Sequence, residues 1–257
     1  MNASTNAELT LSLNICLQQA GDRTSGWIMD ADNVRWDLIP WPPLEWTKFL
    51  RTYQTQATEF WTGKFWLISP AGTGDLCWPM RNPTHQCNTW CRFSLKVVDS
   101  PDKAHQTIRI AKLAPLEEQE DHYLVCRAYG FRSHSLLYKS DDLLTVTRDE
   151  TGNTSINPAG RRQYKQRTYL HEVGHSLGLP HIGVMTKNPN CPSSNTNATT
   201  CYGTTLREAM DIMGEGESLS LDDAKPWLDR ISQHLPGCAA NAFKAAQHRV
   251  FPGRLTA

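Results

Sequence analysis

The chain has 257 residues, enough for one large domain or two lobes sharing a core. Lys+Arg and Asp+Glu balance at 26 each, and no charge run invites nucleic acid or an anionic membrane as a general partner. Hydrophobic residues at 39% describe a packed globule rather than a disordered chain, and no run of eighteen apolar residues offers a membrane span.

In chain order, residues 9–17 (LTLSLNICL) alternate, with Leu9, Leu11, Leu13, Ile15 and Leu17 on one face. Period two predicts a half-buried strand. Residues 21–43 are rich in Gly, Asp, Pro and Trp and read as a loop. From Leu44 the step changes: Trp46, Phe49, Leu50, Tyr53, Ala57, Phe60 and Trp61 recur every three or four residues. That spacing predicts an amphipathic helix, opened by Pro42 and Pro43 and stopped by Gly63. Lys64 to Ser69 reads as a strand, and residues 70–91 as a Gly/Pro/Cys-rich loop. Arg92–Val98 and Thr107–Leu113 are further strands, with weaker candidates at His122–Tyr129 and Ser135–Lys139. Residues 133–139 are the favoured sheet edge, where an extended peptide adds by main-chain hydrogen bonds. Asn157–Pro158 opens a second helix, expected to run to about Leu177. Residues 186–205 form a polar loop, and a last helix is expected from about Ser220 to Leu235.

The second helix carries the most informative stretch, His171 to His181, which reads HEVGHSLGLPH. Residues four apart lie on one helix face, so His171 and His175 can point at one ion. Gly178 is where such a helix stops, and the turn brings His181 back as a third nitrogen ligand. Three neutral imidazoles with a fourth position open to water is the donor set of a catalytic zinc site. Glu172 stands beside the first ligand, placed to act as a base without binding the ion. The other histidines, His85, His105, His122, His134, His234 and His248, show no ligand spacing.

The string matches every fixed position of HExxHxxGxxH, the extended signature of the metzincin zinc metalloendopeptidases, which this chain resembles. Ala209-Met210-Asp211-Ile212-Met213-Gly214 looks like the methionine turn of that family, with Met213 the better candidate and Met210 the runner-up. Leu219-Ser220-Leu221-Asp222-Asp223 is similar to the start of the last helix in matrixin-type members. Astacin- and serralysin-like members place a tyrosine two residues after the turn methionine, where this chain has Glu215. The resemblance implies an α+β, zincin-like fold. Its parts would be a twisted mixed sheet, a backing helix, an active-site helix, and a smaller C-terminal subdomain ending in a helix. Residues 1–181 would form the N-terminal subdomain and 182–257 the C-terminal one. It implies Zn²⁺ held by His171, His175 and His181, with Glu172 as general base and Met213 as an apolar floor. The expected activity is hydrolysis of peptide bonds in a protein or peptide substrate by a monomer. Two other readings remain open: a toxin or effector of the same fold that cuts one target, and a non-catalytic binding module with a structural zinc.

Eight cysteines beside a histidine-based site suggest several disulfides and a secreted protein. Cys191 and Cys201 flank the polar loop and can close it. Cys87 and Cys91 can pair together or take separate partners. The first residues carry no basic segment followed by an apolar run, so secretion implies a removed leader or another export route.

Overall fold

The alternating N-terminal leucines build β1 (Ala7–Gln19), which lies inside a six-stranded sheet. The structure, a computed structural model, describes residues 7–20, 26–29, 35–69, 88–112, 135–139, 143, 146–149, 163–234 and 242–247. The readings placed on Cys77, Cys87, His122–Tyr129 and Asn157–Pro158 lie outside those residues. β1 runs parallel to β5 (Thr89–Val98) on one side and to β6 (Gln106–Ala111) on the other. β7 (Ser135–Lys139) extends the sheet parallel to β6 and is the outermost strand on that side among the described residues. On the far side, β4 (Phe65–Ile68) pairs antiparallel with β5, and β10 (Lys244–Gln247) antiparallel with β4. The protein is therefore α+β with a mixed sheet.

α1 (Pro43–Trp61) is the backing helix, with Phe49, Tyr53, Ala57 and Trp61 buried along one stripe. Its next turn ends at Gly63, whose φ of +69° is the left-handed conformation expected of a glycine stop. α1 also completes the sheet's hydrogen bonding. β4 covers β5 only at Thr89 and Trp90. Beyond them, the amides of Phe93, Leu95 and Val97 donate to Thr62 Oγ1, Thr58 Oγ1 and Gln54 Oε1, at 3.2, 3.2 and 2.9 Å. A helix step of four meets a strand step of two, so a row of amides that would otherwise be orphaned is satisfied.

Four expectations need correction. The 21–43 loop contains a small antiparallel ribbon, β2 (Trp27–Met29) with β3 (Arg35–Asp37). The second helix does not span Pro158–Leu177: Gln163–Gln166 is a strand, β9, paired antiparallel with β8 (Val146–Asp149). Pairing with a partner outweighs the weak helical pattern of those four residues. The expected last helix is not the last described element. After α5 (Lys225–His234), β10 returns to the main sheet, although Lys-Ala-Ala-Gln has no strand propensity of its own. Finally, Cys91 is no loop cysteine. It sits in β5 as a fully buried free thiol, with burial pushing its titration well up, and Cys16 in β1 is a buried free thiol too. The expected bridge between Cys191 and Cys201 is present. No helix among the described residues is long and apolar enough to cross a membrane.

Candidate metal centre

α2 (Thr168–Ser176) carries the first two histidines and packs on α1. The Tyr169 and Tyr53 rings lie 5.2 Å apart, and the Tyr169 hydroxyl donates to Gln56 Oε1 at 2.8 Å. At its end, Ser176 Oγ donates to Gln106 Oε1 of β6 at 2.6 Å. Leu170 and Val173, fully buried, fill the space between helix and sheet. The helix start is tied elsewhere: Arg167 grips Glu217 through two parallel hydrogen bonds of 2.8 and 2.9 Å.

The helix stops as a Schellman turn. The Gly178 amide donates to the His175 carbonyl at 2.9 Å and the Leu179 amide to the Gly174 carbonyl at 3.0 Å. Gly178 sits at φ +97°, a conformation that costs other residues about 1–2 kcal/mol. Gly178→Ala is thus expected to lower the melting temperature by roughly 2–8 °C. A thermal melt that matches the wild type would contradict the turn's role.

This turn brings three imidazoles together. Their ligand nitrogens lie within 4.8 Å of one another, and no other such group of metal-binding side chains occurs among the described residues. Each ring is held by a carbonyl at 2.7 Å from its Nδ1: Ile212 O for His171, Leu179 O for His175, Thr196 O for His181. A carbonyl oxygen only accepts, so every Nδ1 carries a proton, and in a neutral ring that leaves the lone pair on Nε2. His175 Nε2 and His181 Nε2 then face each other at 3.2 Å. Two bare lone pairs at that distance repel, whereas tetrahedral zinc with bonds of 2.0–2.1 Å places its ligand nitrogens about 3.3 Å apart. The donor set therefore fits a metal ion. Burial, followed by the neighbouring His181, pushes His175 down to about 4, and burial pushes His181 down as well. Both rings are thereby kept in the neutral form that metal binding requires. Glu172 is 8% exposed, on the same turn of α2 as His171.

Beneath the helix lies a tight turn. α4 (Leu206–Ala209) opens with a capping box between Thr205 and Glu208 and leads straight into it. Asp211 Oδ1 accepts from the Met213 amide at 2.8 Å, and the Gly214 and Gly216 amides return to the Asp211 carbonyl. Met213 is fully buried, while Met210 is 40% exposed. A side chain at Gly174, between the two helical histidines, would collide with the Met213 sulfur, so Met213 sits directly under the ligand-bearing turn. The turn also binds the site from both sides. Its Ile212 carbonyl holds His171, and its Met213 carbonyl accepts the Ile182 amide, one residue past His181.

Asp211 and Asp223 form a buried acidic pair behind this turn. Burial pushes both carboxyls above their ordinary range, and the charge of Asp211 pushes Asp223 further. A folded state that holds a proton the unfolded chain releases is favoured at low pH, and that advantage fades as pH rises from about 4 through neutrality. In the metal-free protein, Asp223→Asn should flatten this decline, so the variant gains on the wild type between pH 5 and 8. Parallel melting curves across that range would exclude the pair's role.

The site holds one residue that sequence reasoning missed. The Tyr202 ring lies 4.0 Å from the His181 ring, centroid to centroid, and nearly parallel to His171 at 5.9 Å. The expected tyrosine position after the methionine is Glu215. Tyr202 arrives instead from the polar loop before the turn, where spacing alone gave no signal. His105 and His234, also described, stand apart from the metal centre; His105 Nδ1 accepts the Asn14 amide.

No family model matches the chain, and no curated protein or solved structure matches it either.

Proposed function

We propose that this protein is a zinc-dependent endopeptidase of the metzincin type, acting on a protein or peptide substrate. One observation carries the reading: three imidazoles converge, each with its Nδ1 on a backbone carbonyl. Imidazole donors suit zinc, and the group that converges among the described residues is made of histidines alone. A zinc ion held there supplies positive charge that acidifies water to a pKa of about 7 and polarises a carbonyl.

The chain's own residues do the rest. Glu172, adjacent to the first ligand, accepts a proton from the attacking water and delivers it to the departing amine. The three carbonyls keep the imidazoles oriented and basic. Met213 and Gly174 close the rear of the site against solvent. β7 is an edge strand among the described residues, a place for an extended peptide to add main-chain hydrogen bonds. The test is a peptide-library digest of zinc-loaded protein, with and without a chelator. Cleavage abolished by the chelator and restored by zinc is expected. No cleavage of any peptide, with a fourth protein ligand on the metal, would make the site structural.

A further inference from the structure

His181 is held differently from the other two candidate ligands. His171 and His175 ride on α2, and their carbonyl partners belong to the buried methionine turn and to the helix's own terminal turn. His181 lies past the turn, at the head of the four-residue helix α3 (Ile182–Met185). Its Nδ1 partner, Thr196, belongs to the polar loop 186–205, where only Cys201 and Gly203 are buried. Such a loop has almost no core of its own to fix the Thr196 carbonyl.

Three features replace that core. The Cys191–Cys201 bridge closes the loop across Thr196. Local bonds wind it, among them Thr200 Oγ1 to the Asn190 carbonyl at 2.6 Å. Gly183 of α3 lets the loop approach closely, since a Cβ there would lie 2.9 Å from the Cys201 backbone. The residue directly after the bridge is Tyr202, whose ring covers His181 and faces His171.

From this we infer that the Cys191–Cys201 bridge and the Tyr202 ring form a clasp that positions His181 and sets how tightly the metal is retained. The inference rests on the three-histidine metal site proposed above. The bridge fixes both things that touch His181 from this side, the Thr196 carbonyl and the Tyr202 ring. Loss of such outer partners weakens metal binding by about 10–100-fold.

The experiment measures zinc dissociation constants by competition with a chelating dye, alongside thermal melts and the visible spectrum of cobalt(II)-loaded protein. It compares wild type, the double variant Cys191→Ser/Cys201→Ser, Tyr202→Ala and Tyr202→Phe. The double variant and Tyr202→Ala are expected to bind zinc about 10–100-fold more weakly, with an altered cobalt spectrum. Tyr202→Phe, which keeps the ring, should bind as the wild type does. If the double variant does not fold, Tyr202→Ala, with the bridge intact, carries the test alone. Wild-type affinity and an unchanged cobalt spectrum in folded Tyr202→Ala overturn the clasp and leave the metal site standing. A wild-type chain that takes up no zinc overturns both.

Discussion

Replacing Glu172 by glutamine should leave zinc content unchanged and slow peptide hydrolysis by about 10²–10⁴-fold, the range that a positioned acid–base group contributes. Glutamine keeps the shape and hydrogen-bonding reach of the side chain but cannot take a proton. The orientation of the three imidazoles is set by backbone carbonyls, one on each Nδ1, which the substitution leaves in place. The loss should therefore fall on kcat at unaltered metal stoichiometry. A variant with full activity would remove Glu172 from the proton path. One that loses its zinc would show that the carboxylate supports the site's structure instead.

The largest effect on stability is expected at Met213. Its side chain is fully buried against Gly174, beneath the ligand-bearing turn of α2. Met213→Ala deletes three heavy atoms from a space bounded by a helix and a tight turn, neither of which can collapse far. Such truncations cost about 2–5 kcal/mol. Met213→Leu conserves volume and should cost less than about 1.5 kcal/mol. Denaturant unfolding of the metal-free proteins separates the two, and equal stability of alanine and wild type would contradict the packing described. The contrast with Met210, 40% exposed, makes Met210→Ala the natural control.

The three-histidine cluster was legible in the sequence because its spacing is local. His171 and His175 are one helical turn apart, and Gly178 ends the helix in the conformation that only glycine takes freely. The position of Met213 followed from a motif equally short. Leu9 to Leu17 and Trp46 to Trp61 were legible for the same reason, since one face of each must be buried. Elements whose stability is borrowed from a distant partner were not. β10 has neither branched nor aromatic residues and exists because β4 offers an open edge 176 residues upstream, as the pairing of Lys244 with Ile68 shows (244 − 68 = 176). β9 reads as the start of a helix until β8 pairs with it. Tyr202 is the counterpart of these cases at the histidine cluster. It reaches His181 through a disulfide-closed loop, and no periodicity records that path. Cys91 failed for the opposite reason: counting cysteines suggested bridges, whereas its place in β5 buries it as a thiol.

X-ray absorption at the zinc edge of the loaded protein is the most direct measurement of the central idea. Three nitrogen scatterers at about 2.0–2.1 Å, completed by a light oxygen donor, are expected, and His181→Ala should remove one of the three. Sulfur scatterers at about 2.3 Å, or a spectrum unchanged by that substitution, would place the ion elsewhere and contradict the account.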